Sequence, residues 1–242
     1  MGRYVYEGTR PTVIGSAKKL YFKSQGGTAY TWTVPTGVTC ATFEIWGGGG
    51  AGSPSCCCTC YTGGPGAGGG YSIKTIAVTP GNTYSIQVGS GGFQVECWFR
   101  GNACGCPGCT TYVTGTNLTN FCAVGGQGGV WCNVGHHCMA DGGCYGQAYG
   151  GDFNFQGLEA VKGSCCWVGC NSVYGSGASP FGGGINWHVP ASGSCSILQA
   201  CSIAGAFPGG GGMPKPTFIP GWCDCCAGCA GAGADGLAII TL

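Results

Sequence analysis

Glycine tracts recur along the whole length of this chain. "GGGG" (47–50), "GGPGAGGG" (63–70), "GGQGG" (125–129), "GGG" (182–184) and "GGGG" (209–212) are interrupted by aromatic and β-branched residues. A single linker would gather them in one place. Two readings of the tracts compete: flexible linkers, or extended left-handed threefold helices packed side by side through main-chain hydrogen bonds. Glycine alone lets backbones approach so closely, as collagen shows in another geometry. No strict G-X-Y period runs through the chain, which excludes collagen itself. Each ordered glycine costs about 0.5–1 kcal/mol relative to alanine in regular structure. With 54 of them in 242 residues, an ordered state needs a large compensating term.

Cross-links are one source of such a term, and the chain has 22 cysteines. The disulfide candidates are Cys40, Cys56, Cys57, Cys58, Cys60, Cys97, Cys104, Cys106, Cys109, Cys122 and Cys132. They continue with Cys138, Cys144, Cys165, Cys166, Cys170, Cys195, Cys201, Cys223, Cys225, Cys226 and Cys229. A disulfide contributes about 2–4 kcal/mol, largely by constraining the unfolded chain. Four clusters stand out: "CCCTC" (56–60), "CGCPGC" (104–109), "CCWVGC" (165–170) and "CDCCAGC" (223–229). Cys57/Cys60, Cys106/Cys109 and Cys226/Cys229 have the C-x-x-C spacing of a zinc knuckle, and His136 and His137 beside Cys138 could add nitrogen ligands. Adjacent cysteines weigh the other way. Successive side chains of extended chain point to opposite faces, so neighbours such as Cys225 and Cys226 seek different partners. Structural disulfides are therefore expected ahead of bound metal, with reduced thiols a further alternative, and no metal or cofactor is assigned. The connectivity is not readable from sequence. The last cluster is expected to staple the closing segment "GLAIITL" (236–242) to the body, beyond a flexible "AGAGAD" (230–235). A thioredoxin-like role needs C-x-x-C at a helix start, and no helical periodicity surrounds these motifs.

Charge divides the chain in two. Arg3, Arg10, Lys18, Lys19 and Lys23 face only Glu7, a net +4 over residues 1–23, against −3 for the remainder. The expected organisation is an extended basic docking arm at 1–28 followed by a glycine- and cysteine-rich β domain at 29–242. A solvated edge with a few lysines is the alternative. The opening "MGRYVYEGTRPTVIG" shows no signal-peptide pattern, and no stretch has the length of a membrane span. Oxidised cysteines made without an export signal suit a particle assembled in a host cytoplasm and released by lysis. Four basic residues beyond position 23 are too few for a nucleic-acid surface.

The readable segments are short, β-branched or aromatic, and bounded by glycine and proline. "AYTWTV" (29–34), "TCATFEIW" (39–46), "YSIKTIAV" (71–78), "TYSIQV" (83–88) and "GLAIITL" are the predicted strands. "TPGNT" (79–83) predicts a type II turn with Pro80 and Gly81 at its centre, and with it an antiparallel hairpin over 71–88. The fold class is all-β: a small antiparallel, sandwich-like body with glycine-rich segments, rich in disulfides, preceded by the arm.

"YTWTVPTGVTCATFEIWGGGGAG" (30–52) resembles the opening of a glycine-rich domain common in bacteriophage tail-fibre and virion surface proteins. "GGGYSIKTIAVTPGNTYSIQVGSGG" (68–92) resembles the next piece of that family, and "GAGADGLAIITL" (231–242) its closing strand. The resemblance implies a non-enzymatic virion structural protein on the particle surface, of the tail-fibre or adhesin type. It would dock to other virion proteins through its arm, at Arg3, Arg10, Lys18, Lys19 and Lys23. A host surface glycan or protein is a second partner class. A homo-oligomer is expected, and a trimer would suit a fibre. A capsid decoration protein is the nearest alternative, and a cysteine-rich metal-binding protein an alternative of another class.

Catalytic signals are weak. The eight carboxylates are scattered, and nothing in their spacing suggests a glycosidase pair. "GGGGAGS" (47–53) lacks the lysine and the helix that a phosphate-binding loop needs. Trp98, Trp131, Trp167 and Trp222 could serve recognition, although plugging a core poor in leucine and isoleucine is the favoured reading.

Overall fold

The computed structural model describes residues 4–5, 18–53, 64–93, 104–130, 138–140, 143–161, 163–165, 172–184, 186–189, 203–213 and 230–242. Among them there is no helix. The strands are β1 (Tyr4–Val5), β2 (Lys19–Lys23), β3 (Tyr30–Thr33), β4 (Cys40–Trp46), β5 (Tyr71–Ala77), β6 (Thr83–Gln87), β7 (Thr111–Thr114) and β8 (Cys122–Ala123). They continue as β9 (Cys138–Ala140), β10 (Ala148–Tyr149), β11 (Phe153–Phe155), β12 (Gly163–Cys165), β13 (Ser172–Gly175), β14 (Asn186–Val189) and β15 (Leu237–Thr241).

Two sheets form the body. One has the order β1-β2-β15-β4-β5-β11 and the other β10-β8-β7-β6-β3. All pairings within them are antiparallel except β1 with β2. Two ribbons, β12-β9 and β13-β14, stand apart. The period-2 alternation of the predicted strands accounts for the core. Ala41, Phe43 and Ile45 of β4 are buried. So are Leu20 and Phe22 of β2, Ala238 and Ile240 of β15, Tyr30 and Trp32 of β3, and Tyr84 and Ile86 of β6. They meet in one cluster. Trp32 packs edge-on against Phe43 with centroids 5.8 Å apart, and Phe43 lies 5.3 Å from Tyr84. Each large apolar side chain among them contributes about 1.5–3 kcal/mol on burial, so a conventional aromatic and aliphatic core is a second source of the compensation beside cross-links. Among the described residues, the buried tryptophans are Trp32 and Trp46. Trp98, Trp131, Trp167 and Trp222 lie outside the described residues.

Every predicted strand is present, but the hairpin over 71–88 is not. The turn itself forms: Asn82 N–H donates to the Thr79 carbonyl at 3.1 Å, and Gly81 has φ +87°, as the third position of a type II turn requires. Its flanking strands belong to different sheets, β5 pairing with β4 and β11, and β6 with β3 and β7. The turn is therefore a corner between the two layers. It is tied to the end of β3 by reciprocal bonds, Val34 N–H to the Asn82 carbonyl and Gly81 N–H to the Val34 carbonyl, both 2.9 Å. Splitting the pair puts Ile76 and Ile86 in one core from opposite sides.

The boundary expected between arm and domain, at 28/29, does not coincide with an edge of the sheet. Lys19–Lys23 form β2, which pairs along its whole length with β15. The sequence "KLYFK" alternates, so Leu20 and Phe22 enter the core while both lysines remain exposed.

Candidate functional site

The glycine tracts leave the sheets as a bundle, and its hydrogen bonds repeat every three residues. Along 47–53, Gly47, Gly50 and Ser53 donate to the carbonyls of Gly70, Ala67 and Gly64. Gly48 and Ala51 donate to Cys109 and Cys106, and Gly49 and Gly52 to Ala234 and Gly231. All seven bonds measure 2.8–3.0 Å. One chain thus faces three neighbours in rotation, as a helix with three residues per turn must. In each series the acceptor number falls by three as the donor number rises, so these neighbours run antiparallel to it. The tract 64–70 extends the lattice: Gly66 and Gly69 donate to Gly212 and Gly209, Ala67 and Gly70 to Gln127 and Val124, and Gly68 to Leu158. An extended helix has no internal hydrogen bonds, and here its buried N–H groups are satisfied by neighbours. The requirement for glycine is steric. A Cβ on Gly50 would fall within 3.0 Å of the Gln127 carbonyl oxygen, and one on Gly128 within 3.0 Å of the Gly105 carbonyl.

Two tracts differ from expectation. "AGAGAD" is part of the lattice and not a flexible lead-in, with Gly231 donating to Met213 and Gly233 to Gly92. "GGG" at 182–184 follows a turn at Pro180, where Gly182 N–H donates to the Ser179 carbonyl at 3.0 Å. That turn is pinned to the body by Trp46, whose indole Nε1 donates to the Pro180 carbonyl at 2.7 Å. It presents Phe181, 78% exposed and at φ +60°, beside Tyr71 and Phe155.

Five of the tracts join the sheets at one end of the bundle. Gly47 follows β4, Gly70 precedes β5, Gly89 follows β6, Thr111 opens β7 after Cys109, and Gly236 precedes β15. Their other ends meet at the opposite level, where Ser53 bonds Gly64, Ala51 bonds Cys106, Gly129 bonds Ala51 and Gly52 bonds Gly231. The connections 54–63, 93–103, 130–142 and 214–229 therefore all depart from the end remote from the sheets. In sequence they carry "CCCTC", "HHC" (136–138) and "CDCCAGC", with Trp98, Trp131 and Trp222 in or beside them. Sequence reasoning located these segments but not their convergence, because the three-residue hydrogen-bond register that sets it leaves no side-chain signal.

Of the disulfide candidates, Cys40, Cys104, Cys106, Cys109, Cys122 and Cys144 are free thiols in the structure. They sit on strands or bundle helices and are not brought together. Ser90 Oγ donates to Cys109 Sγ at 3.4 Å. Burial pushes the Cys106 and Cys122 thiols up from the ordinary range. Cys138 and Cys165 are described at the level of the backbone, in β9 and β12. Cys56, Cys57, Cys58, Cys60, Cys97, Cys132, Cys166, Cys170, Cys195, Cys201, Cys223, Cys225, Cys226 and Cys229 lie outside the described residues, as does the stapling role expected of "CDCCAGC". Among the described residues, no group of three His, Cys, Asp or Glu side chains could hold a metal ion.

The docking candidates separate in the same way. Arg3 and Arg10 lie outside the described residues. Lys19 Nζ stands 3.9 Å from Glu44, and Glu44 accepts a hydrogen bond from the Tyr71 hydroxyl at 3.2 Å. Burial, with the Glu44 charge beside it, holds that phenol protonated far above the usual tyrosine range. Asp152 accepts from Thr75 N–H at 2.8 Å, and Asp235 from Gly91 N–H at 2.8 Å. Glu44, Asp152 and Asp235 are thus engaged in holding the architecture.

The profile of a glycine-rich domain matches residues 24–242. The chain belongs to the glycine-rich domain family. The match begins at the residue after β2 and takes in both the sandwich and the bundle. No curated protein is significantly similar to the chain. The glycine content of this chain follows from the lattice: at positions such as Gly50 and Gly128 a neighbouring carbonyl occupies the space a Cβ would need.

Proposed function

We propose that this member of the glycine-rich domain family is a non-enzymatic structural protein displayed on a bacteriophage particle, of the tail-fibre or adhesin type. The observation that carries the reading is the polarity of the architecture. A sandwich anchors one end of the polyglycine bundle, and the connections 54–63, 93–103, 130–142 and 214–229 leave from the other end. Variable function placed on loops over a rigid scaffold is a recurrent solution in recognition proteins. The resemblance of 30–52, 68–92 and 231–242 to virion surface proteins supplies the setting. Residues 1–17, with Arg3 and Arg10, dock to an acidic virion partner, the protein assembles as a homo-oligomer, and the far-end connections contact a host surface glycan or protein.

The test is incorporation into particles. Because Lys19–Lys23 form a sheet strand, the informative truncation removes residues 1–17 and leaves β2 intact. The truncated protein should fold, with an unchanged circular dichroism spectrum, and be missing from purified particles on immunoblots. Normal incorporation would overturn the docking role. Immunogold labelling of the far-end connections should decorate tail tips. Uniform labelling over the head would favour a capsid decoration protein.

A further inference from the structure

The ribbon of β9 and β12 sets two cysteines opposite one another. Its antiparallel register pairs Gly163 with Ala140, Ser164 with Met139, and Cys165 with Cys138. Directly opposed residues of an antiparallel pair have Cα atoms about 4.5 or 5.5 Å apart, depending on whether they exchange hydrogen bonds. Both separations lie within the roughly 4.4–6.8 Å that a disulfide spans. Of the two adjacent cysteines, residue 165 holds the opposed register position and residue 166 follows the strand.

From this juxtaposition we propose that Cys138 and Cys165 form a cross-strand disulfide. β9 lies in the connection between bundle tracts 124–129 and 143–147, and β12 lies beyond the tract that ends near Leu158. The bond would fasten the connection that carries β9 to the segment that carries β12 and lock the register of the ribbon. Formation balances as thiol–disulfide exchange. One cysteine thiolate attacks a disulfide oxidant such as oxidised glutathione, releasing one glutathione thiolate. The second cysteine thiolate then displaces the other glutathione, closing the protein S–S bond and completing a two-electron reduction of the oxidant. The inference holds whatever surface displays the protein, so it can fail without the proposed function failing.

The full chain is equilibrated in a glutathione buffer rich in the oxidised form and quenched with N-ethylmaleimide without reductant. It is then digested with trypsin and chymotrypsin and mapped by mass spectrometry. A linked species joining Cys138 to Cys165, lost on reduction, is expected. Cys165→Ser should convert Cys138 from unlabelled to stoichiometrically labelled, whereas Cys166→Ser should leave the link intact. Maleimide on both cysteines of the wild-type chain, or a link from either to any other cysteine, would overturn the proposal. The wild-type map decides the matter even where a variant fails to fold.

Discussion

The hydroxyl of Thr111 donates to the main-chain carbonyl of Trp46 at 2.6 Å, joining the first residue of β7 to the last of β4. The same oxygen accepts from Gly89 N–H at 2.9 Å. One fully buried hydroxyl thus connects both sheets at the root of the bundle. Thr111→Val keeps the shape but strands a buried N–H and a buried carbonyl, each worth about 1–3 kcal/mol when left unsatisfied. Urea unfolding should show a loss of about 2–4 kcal/mol, with Thr111→Ser restoring most of it.

Close packing and backbone conformation make separable demands on glycine. At Gly50 a methyl group would strike the Gln127 carbonyl, whereas at Gly81 it meets open space and only the φ of +87° resists it. Gly81→Ala should cost about 1–2 kcal/mol, the penalty for a side chain in the left-handed region. Gly50→Ala should cost more, about 3 kcal/mol or above, because the obstruction is rigid main chain in a packed lattice. Thermal denaturation of the two variants beside the parent checks the order.

Alkaline stability should be limited by buried phenols. Burial raises the Tyr84 phenol above its ordinary value near 10, and its hydroxyl donates to the Thr116 carbonyl at 3.1 Å. A raised folded-state value means that the unfolded chain releases its proton first as pH climbs. The stabilisation is therefore complete below about pH 10 and is lost as pH rises toward the folded value. The melting temperature should hold up to about pH 10 and fall above it, as the pH rises past the unfolded phenol value. Tyr84→Phe should be less stable at neutral pH by about 1 kcal/mol and show a shallower alkaline decline.

Thiol reactivity should follow position in the fold. Cys104, Cys109 and Cys144 are exposed, whereas Cys106 and Cys122 are partly covered and their thiols are raised by burial. Since the thiolate is the nucleophile, iodoacetamide at pH 8 should modify Cys106 and Cys122 several-fold more slowly than Cys104 and Cys144. Time-resolved peptide mass spectrometry measures the rates residue by residue. Equal rates would contradict the described burial.

Much of the sandwich was legible because β-strand burial writes itself in side chains. "CATFEIW" and "TYSIQ" alternate as the core demands, and both form strands where expected. β2 is less legible because the two lysines of "KLYFK" give the segment the look of a solvated arm, although Leu20 and Phe22 mark an inward face. The turn at Pro80–Gly81 was legible and the pairing of its flanking strands was not, since local turn chemistry is the same for a hairpin and for a corner between sheets. Threefold polyglycine packing was foreseeable as an alternative to linkers. Which tract neighbours which depends on main-chain registers such as Gly50 with Ala67, and glycine carries no side chain to record them.

The rotation of donors along 47–53 also restricts how such a chain can change length. Inserting one residue between Gly48 and Gly49 would turn each later N–H by a third of a circle, so that Gly50 would address the neighbour meant for Ala51. Adding three residues restores every bearing and lengthens the tract by one full turn, about 9 Å. Members of this family should therefore differ in tract length by multiples of three, while the connections beyond the lattice are free to vary by any number. Length in the shaft is quantised, and length at the tip is not.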